Sequence, residues 1–241
     1  QYYADKARLF ANATSDSIWV SNLDDSDSRA MVAGVAGRHL AFTTAPERQA
    51  DAWYDRGTNA LIVAGRRMMD RGALPLLGTH NVANALAAAL ALHATGIDVE
   101  QLGEGLASFG ALRHRMEPVR EVEGVLWIND SKATNVSSTL VAVEGMTRPT
   151  VLLLGGRHKG EPYTALAEPL RRHGRAVIAY GEAAPLVAHD LEGVVPLVQL
   201  GTDFEEVVRT ARSLAQSGDV VLLSPACSSY DMFANYTERG A

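Results

Sequence analysis

Residues 125–135 read Val-Leu-Trp-Ile-Asn-Asp-Ser-Lys-Ala-Thr-Asn, a short apolar run followed by a polar turn. The run Val125–Ile128 has the pattern of a strand, and the small and apolar residues of Val136–Val143 have that of a helix packed on a sheet. The heptapeptide Asn129–Asn135 is therefore predicted to be a strand-to-helix turn. In open α/β sheets such turns bind ligands, because helix N-terminal amides attract anions there.

The turn holds three side chains of ligand-binding type, the carboxylate of Asp130, the ammonium of Lys132 and the hydroxyl of Thr134. Capping of the helix by Asp130, Thr134 or Asn135 is the alternative interpretation. Capping leaves Lys132 unexplained, because a cation at the positive end of a helix is unfavourable unless an anion joins it. The turn therefore predicts an anionic ligand.

Beyond residue 112 short apolar runs alternate with helical segments. The predicted strands are Val125–Ile128, Thr150–Leu154, Ala176–Tyr180, Val194–Gln199 and Val220–Leu223, with helices between them and a last helix beginning near Tyr230. Such alternation predicts βαβ units, and hence an α/β domain at 112–241 with a doubly wound, mainly parallel, Rossmann-like sheet.

Residues 1–111 have a different pattern and are predicted to form a separate domain. We expect a helix at Tyr2–Ala13, a strand at Ser17–Ser21, a short helix near Ser28–Val35, and further helices at Val82–Thr95 and Val99–Phe109. Four β-type runs between these helices predict an antiparallel meander: Leu40–Thr44, Ala52–Tyr54, Ala60–Ala64 and Ala73–Leu77. Since the first helix has no capping residue before it, we expect the natural N-terminus to lie upstream.

The composition limits the classes of partner. The 241 residues carry a net charge of −6, with a pI of about 5.6, which argues against general binding to nucleic acid or membrane surfaces. One cysteine, Cys227, excludes an internal disulfide and suits a reducing compartment. No apolar run reaches membrane-spanning length and no signal peptide is present, so a cytoplasmic protein is expected.

Two more strand ends carry unusual residues. After Thr150–Leu154 come Gly155-Gly156-Arg157-His158-Lys159-Gly160, where glycines let backbone amides approach an anion beside a lysine. After Val220–Leu223 come Ser224-Pro225-Ala226-Cys227-Ser228-Ser229-Tyr230-Asp231, predicted to lie at another helix start. The three turns should face the same side of the sheet and form a pocket for an anion.

Other chemistries find no support in the sequence. No nucleophile-elbow pattern surrounds Cys227, Ser228 or Ser229, and the seven histidines lack zinc-ligand spacing. No Gly-x-x-x-x-Gly-Lys-[Ser/Thr] phosphate loop occurs in the chain.

Lysine is rare, since only three of the 22 basic residues are lysine, which leaves 19 arginines. A bias toward arginine explains the rarity but not which positions remain lysine: Lys6, Lys132 and Lys159. An ammonium is a compact charge that can lose its proton, which a guanidinium does not do. Two of the three lie in the turns described above.

A pair of asparagines is predicted in the first turn of an alanine-rich helix. Asn81 and Asn84 are spaced i and i+3 and share a face, where their amides could contact the edge of a heterocycle. Simple N-capping by Asn81 is an equally good interpretation.

The motifs together resemble the Mur ligases, the ATP-dependent amide ligases of peptidoglycan synthesis, over essentially the whole chain. They are Gly78–Asn84, His114–Glu117, Asn129–Asn135, Gly155–Gly160, and Ser224–Ser229 with Arg239-Gly240. The form Asp-Ser-Lys-Ala-Thr-Asn is that of the D-glutamate-adding member. The resemblance then implies the second half of an ATPase domain followed by a D-glutamate-binding domain.

The resemblance implies a reaction. ATP phosphorylates the carboxylate of a UDP-muramoyl-L-alanine substrate, the amine of D-glutamate attacks the acyl phosphate, and phosphate leaves through a tetrahedral intermediate. Such chemistry depends on positioning and on cations that neutralise the phosphoryl group.

The resemblance also implies roles for individual residues. Asn81 and Asn84 would contact adenine, Arg115 and Asp130 the ribose side of ATP, and Lys132 its phosphates, with Lys132 and Asp130 as the catalytic pair. Thr134, Lys159, Ser229 and Tyr236 would hold D-glutamate, with tyrosine where the family usually has phenylalanine. Lys6 matches a lysine that is carbamylated and helps to hold Mg²⁺.

The sequence departs from the family in lacking the uridine-nucleotide domain and the phosphate-loop half of the ATPase domain. We therefore expect the 241 residues alone to bind ATP poorly and not to ligate. Two alternatives stay open: a non-catalytic nucleotide- or anion-binding module, and a sister ligase for another amino acid, such as a folylpolyglutamate synthase-like enzyme. In each case we expect a monomer that binds small molecules.

Overall fold

A computed structural model of the chain describes residues 2–46 and 50–241. The chain divides after Gly110 into unit 1, residues 1–110, and unit 2, Ala111–Ala241. Across the described residues, no helix has the length and apolar character needed to span a bilayer.

Unit 1 places helices beside one five-stranded sheet. Its elements are α1 (Tyr2–Ala7), a 3-10 turn (Arg8–Phe10), β1 (Ile18–Asn22), α2 (Ser26–Val32), β2 (Arg38–Thr43), β3 (Ala52–Asp55), β4 (Ala60–Val63), β5 (Arg66–Asp70), a 3-10 turn (Arg71–Ala73), α3 (Thr79–Ala94) and α4 (Val99–Ala107). The strand order is β1-β2-β3-β4-β5.

Helix α3 supplies the centre of the unit 1 core. Val82, Ala85, Leu86, Ala89 and Leu90 recur at helical spacing, are buried, and pack in one cluster with residues of the sheet and α4. Alanine at this density lets the helix lie close to the strands, since it adds little bulk and costs no side-chain entropy.

The predicted meander is only partly antiparallel. Strands β3, β4 and β5 pair antiparallel, but β1 pairs parallel with β2, and β2 with β3. The prediction was wrong for β2 and β3, which pair parallel. Strand β1 was predicted outside the meander, and it pairs parallel with β2 because α2 provides the crossover that a parallel pair requires.

Two other predictions for unit 1 are corrected. The fifth strand is Arg66–Asp70, whereas Ala73–Leu77, which contains Pro75, forms no strand. Proline cannot donate to a sheet ladder, so the adjacent segment pairs instead. The first helix ends at Ala7 rather than Ala13. The side chains of Asp5, Lys6 and Ala7 at the end of α1 are exposed, so they contribute little packing that would extend the helix.

Unit 2 is a six-stranded sheet with helices along it. Its elements are β6 (Glu117–Val122), β7 (Val125–Asn129), α5 (Val136–Glu144), β8 (Thr150–Gly155), a 3-10 turn (Tyr163–Leu166), α6 (Ala167–His173), β9 (Gly174–Tyr180), α7 (Ala184–Asp190), β10 (Leu197–Gln199), α8 (Phe204–Leu214), β11 (Val220–Leu223) and α9 (Tyr236–Arg239).

The sheet of unit 2 confirms the predicted doubly wound α/β class. Its order is β10-β9-β8-β11-β7-β6, and every pair is parallel except β6 with β7. The β8 residues Thr150–Gly155 are all buried, as expected for a central strand covered on both faces. On one face Val151 and Leu153 pack in a cluster with Val207 and Ala211 of α8.

Two elements of unit 2 differ from the prediction. Strand β6 was missed, because it is an edge strand with mostly exposed residues and a bulge near Pro118. The helix predicted near Tyr230 begins only at Tyr236, where Asn235 caps it by accepting from the Glu238 amide at 2.9 Å.

Candidate functional site

The three predicted turns lie together at the carboxyl edge of the unit 2 sheet. Strand β11 lies between β7 and β8 and pairs parallel with both, so Asn129, Gly155 and Leu223 end neighbouring strands on the same side. The first, second and third turns are residues 129–135, 155–160 and 224–231, respectively. The expectation that they share one edge is confirmed.

Hydrogen bonds within the protein fix the backbone of the first turn. Asn135 is the N-cap of α5 and accepts from the Ser138 amide at 2.8 Å. Lys132 is exposed; its backbone amide donates to His114 O at 3.0 Å, and its Nζ lies 5.9 Å from the centre of the Tyr236 ring. Lys132 therefore presents its ammonium to solvent beside an aromatic face.

An anion does join the start of α5, and in this structure it is a side chain. Glu161 Oε2 accepts from the backbone amide of Val136 at 3.0 Å. A carboxylate at this helix terminus is favourable, since the first amides carry partial positive charge. Glu161 was not predicted, because it lies 25 residues away in sequence from the amide it contacts.

Asp130 is buried and bonded within the chain. It is 5% exposed, its Oδ1 accepts from the Met116 amide at 3.1 Å, and its Oδ2 accepts from Ser224 Oγ at 2.8 Å. Burial raises the pKa of Asp130 to about 6, although these hydrogen bonds and the charge of Arg115 oppose the shift. The carboxyl group faces inward and ties the first turn to the third, and its contact with the ribose stays a prediction.

The second turn needs its glycines for space. Gly155 and Gly156 have φ of +156° and +124°, and a Cβ atom would overlap the carbonyl oxygen of Tyr180 at the first and of Ser228 at the second. The prediction that their amides would bind an anion differs from the structure, in which both amides are bonded to backbone carbonyl groups. Gly155 N donates to Pro225 O at 3.1 Å, Gly156 N donates to Tyr180 O at 3.2 Å, and Arg157 N is likewise bonded to Ser228 O.

Lys159 links the second turn to the first. Its Nζ donates to Thr134 Oγ1 at 3.2 Å, although 25 residues separate the two in sequence. Lys159 is exposed and Thr134 is half-buried, so an ammonium and a hydroxyl stand side by side where a ligand can reach them. This pair can bind a carboxylate through charge-assisted hydrogen bonds.

Residues 224–229 of the third turn are buried, Tyr230 is exposed, and the turn contains no helix start. Ser228 pairs with Arg157 in an isolated antiparallel bridge, and Ser229, 2% exposed, accepts at its carbonyl from the Met232 and Phe233 amides. Burial raises the pKa of the Cys227 thiol to about 11. Cys227 is therefore a thiol at neutral pH, consistent with the absence of a nucleophile pattern in the sequence.

Tyr236 and Arg115 complete the predicted set in unit 2. Tyr236 is half-buried and packs edge-on against His114, with 6.2 Å between the ring centres. Arg115 is exposed, close enough to Asp130 for its charge to act on that carboxyl group.

The predicted residues of unit 1 are Asn81, Asn84 and Lys6. Helix α3 begins at Thr79, so Asn81 lies in the first turn and is not the N-cap. Asn84 Nδ2 donates to Asn81 Oδ1 at 3.3 Å, which confirms the shared face, and Asn81 Nδ2 donates to Leu77 O at 2.7 Å. Asn84 is exposed and Asn81 is buried, which leaves Asn84 the more accessible amide.

Lys6 is exposed on α1. Within residues 2–46 and 50–241, no three His, Cys, Asp or Glu side chains are grouped to hold a metal ion. The role of a carbamylated Lys6 in holding Mg²⁺ stays a prediction.

A cavity of about 760 Å³ in unit 2 lies on the face that α8 covers, with apolar walls formed by residues such as Trp127, Leu153 and Phe204. Its lining includes none of Lys132, Thr134, Lys159 and Ser229. Although Arg120, Arg209 and Arg212 also line this cavity, the lysines and hydroxyls of the predicted site lie outside it, so we assign the candidate site to the turns.

One residue of this region was not predicted as a site residue. The side chain of Arg239 is buried and bonded to both the first and third turns. An Arg-Gly pair at the end of a short helix gives no local signal for its contacts with Ser131, which lies 108 residues away in sequence.

Comparison with protein families gives two matches. Residues 114–227 match the Mur ligase glutamate ligase domain, and residues 1–92 match the Mur ligase middle domain. The two matches fall in units 2 and 1 respectively.

The chain is similar to curated enzymes. It is 40% identical over 244 residues to the UDP-N-acetylmuramoylalanine–D-glutamate ligase of Nitrosospira multiformis, which aligns with 99% of this chain and 51% of the relative. It is 42% identical over 246 residues to the ligase of the same name from Methylobacillus flagellatus, covering 99% of this chain and 53% of the relative. The chain thus spans about half the length of these relatives.

Solved structures share the fold. A pseudomurein peptide ligase type C from Methanothermus fervidus superposes with a TM-score of 0.68 at 17% identity, over 92% of this chain and 56% of that one. UDP-N-acetylmuramate-alanine ligase MurC from Thermotoga maritima gives 0.66 at 15% identity, over 93% and 51%.

Proposed function

This chain belongs to the Mur ligase family, and we propose that it serves the ATP-dependent ligation of D-glutamate to UDP-N-acetylmuramoyl-L-alanine in the cytoplasm. The observation that carries the proposal is the contact between Lys159 Nζ and Thr134 Oγ1 at the carboxyl edge of the sheet. It pairs a cation and a hydroxyl donor from two turns, an arrangement that suits one carboxylate of an amino acid.

The proposed reaction has two steps. A carboxylate oxygen of the UDP substrate attacks the γ-phosphorus of ATP, and ADP leaves with the electrons of the broken P–O bond. The neutral amine of D-glutamate then attacks the acyl carbon, phosphate leaves with the C–O electrons, and the amine loses a proton to form the amide. Both steps need bound partners held close, which accounts for most of the expected acceleration.

The residues of unit 2 take separate parts in this proposal. Lys132, exposed beside the Tyr236 ring, is proposed to neutralise charge on the transferring phosphoryl group. Thr134 and Lys159 are proposed to hold one carboxylate of D-glutamate, and Ser229 and Tyr236 to border the same amino acid. Asp130 is proposed to act through its bonds to Met116 and Ser224, as a group that positions the turn carrying Lys132.

In unit 1, Asn84 is the better placed of the two asparagines to contact the edge of adenine. Asn81 then orients it through their hydrogen bond. Mg²⁺ would supply charge neutralisation at the phosphates of ATP when it is bound.

The proposal is tested by phosphate release from the full-length protein with ATP, UDP-N-acetylmuramoyl-L-alanine and either D- or L-glutamate. Release that depends on D-glutamate is expected. Equal use of L-glutamate or of another amino acid would favour a sister ligase, and binding without turnover would favour a non-catalytic module.

Lys159→Met should raise the KM for D-glutamate by about 30- to 150-fold, which corresponds to a lost charged hydrogen bond of about 2–3 kcal/mol. Arg157→Met is the matched control. It removes an exposed cation of the same turn that pairs with Glu182, and should change that KM by less than about threefold. Equal effects of the two substitutions would contradict the assignment of Lys159.

A further inference from the structure

The three turns converge on one buried guanidinium, that of Arg239, which is 3% exposed. Its Nε donates to Ser131 Oγ at 3.0 Å and its Nη2 to Ser131 O at 2.8 Å, in the first turn. Both Nη atoms donate to Cys227 O at 3.1 Å, in the third turn. A Cβ atom on Gly156 of the second turn would lie 3.2 Å from Nη1, so that turn also abuts the guanidinium.

The guanidinium of Arg239 is hydrogen-bonded to neutral oxygens. Among residues 2–46 and 50–241, no carboxylate forms an ion pair with it. Arg175, by contrast, pairs with the buried Asp219, whose Oδ1 accepts from Nη2 at 2.9 Å. A buried arginine bonded only to backbone and hydroxyl oxygens is costly, and it persists where its rigid fork fixes a geometry.

On one side the fork fixes the first turn. Ser131 is followed directly by Lys132 and lies three residues before Thr134, and its Oγ also donates to Tyr236 O at 2.7 Å. Arg239 and Tyr236 occupy the same short helix. The guanidinium therefore sets where Tyr236 lies relative to the turn that carries Lys132 and Thr134.

On the other side the fork fixes the third turn. Cys227 O accepts hydrogen bonds from both Nη atoms of Arg239, and Ser229 follows two residues later. The distance between Ser131 and Cys227 is thus set by one planar group with little freedom.

We infer that Arg239 is a positioning residue of the D-glutamate site, which holds Thr134 and Ser229 at the spacing that the two ends of this amino acid require. The inference rests on the proposed function. It goes beyond it by assigning the spacing of the site to a side chain that has almost no exposed surface.

The test is Arg239→Lys in the full-length protein. Lysine keeps the charge but replaces the fork by a single nitrogen, so the two turns lose their fixed separation. A displacement of about 1 Å can cost about 100-fold in a positioned reaction. We expect the KM for D-glutamate to rise by about 10- to 100-fold. The KM for the UDP substrate, to which no residue of unit 2 is assigned, should change by less than about twofold.

Arg175→Lys is the control for loss of stability alone, because Arg175 lies near the amino end of β9, at the opposite edge of the sheet. It should lower the melting temperature without changing the KM for D-glutamate. If Arg239→Lys behaves in the same way, the inference is overturned.

Ser131→Ala keeps the test decisive should Arg239→Lys fail to fold. It removes one acceptor of Arg239 and the bond to Tyr236 O, and should raise the KM for D-glutamate by about three- to tenfold. An unchanged KM in folded Ser131→Ala would contradict the inference. A wild-type protein without D-glutamate-dependent phosphate release would instead overturn the proposed function and this inference with it.

Discussion

At the residue scale, Asp130 shows how burial changes what a carboxyl group does. Its pKa rises from 3.8 to about 6 because desolvation outweighs two hydrogen bonds. The folded protein therefore binds this proton more tightly than the unfolded chain does. The resulting stabilisation is complete below about pH 4 and is lost as the pH rises through about 6, with a total of about 3 kcal/mol.

Asp130→Asn should remove this pH dependence. The amide can accept from the Met116 N–H and donate to Ser224 Oγ, which can turn its own proton toward Thr139 Oγ1, 3.1 Å away. Relative to the parent, the variant should gain about 2–3 kcal/mol of unfolding free energy between pH 4 and pH 7. Urea unfolding of both proteins at the two pH values measures the difference. Parallel pH profiles would contradict the raised pKa.

The same residues mark what sequence can predict. Lys132, Thr134 and Lys159 were predicted because an ammonium or hydroxyl at a strand end is chemically unusual, and the structure leaves the two lysines exposed and Thr134 half-buried. The inward orientation of Asp130 was not found, because its partner Ser224 lies 94 residues away in sequence. Arg239 was missed as a site residue for the same reason, since 108 residues separate it from Ser131.

At the scale of elements, the second turn is the least tolerant part of the site. Gly155→Ala would press a methyl group into the Tyr180 carbonyl oxygen and would strain a backbone at φ +156°. We expect the unfolding free energy to fall by more than about 3 kcal/mol, because the cost of the steric overlap adds to that of the backbone strain.

Gly201→Ala is the matched control for that substitution. A Cβ atom there would meet no atom within 4 Å. The change should be neutral or stabilising by up to about 1 kcal/mol, because it restricts the unfolded chain. Urea unfolding compares the two variants, and similar losses would show that the close contact at Gly155 is not decisive.

The stability of helix α8 depends on its N-cap residue, Asp203. Asp203 accepts from the amides of Glu205 and Glu206 at 3.0 and 3.2 Å. Asp203→Ala should cost about 1 kcal/mol, whereas Asp203→Asn, which can still cap, should cost only a few tenths. Thermal unfolding of the two variants distinguishes capping from a general effect of losing the carboxylate.

Buried elements were predicted better than exposed ones. Strand β11 was predicted at its observed bounds, Val220–Leu223, because four consecutive apolar residues between turn signals are typical of a central parallel strand. The edge strand β6 and the strand β5 were missed, because exposed arginines and glutamates obscure their periodicity. Hydrophobic periodicity in a sequence reflects which residues are buried, so an element with few buried residues shows little periodicity.

At the scale of the whole molecule, each unit has a core built from its own residues. The cluster around α3 contains residues between Val20 and Leu106, and the cluster beneath α8 contains residues between Val125 and Met232. Residues 109–112 between the units belong to no helix or strand. We therefore expect the units to respond separately to damage in their cores.

Leu90→Ala in unit 1 and Leu152→Ala in unit 2 test this expectation. Both leucines are at most 1% exposed, so each truncation should cost about 2–5 kcal/mol through lost burial and the cavity left behind. Hydrogen exchange followed by mass spectrometry should show faster exchange for Leu90→Ala in peptides of unit 1 and for Leu152→Ala in peptides of unit 2. Faster exchange across both units in either variant would contradict the expectation, because it would show that the two units unfold as one cooperative unit.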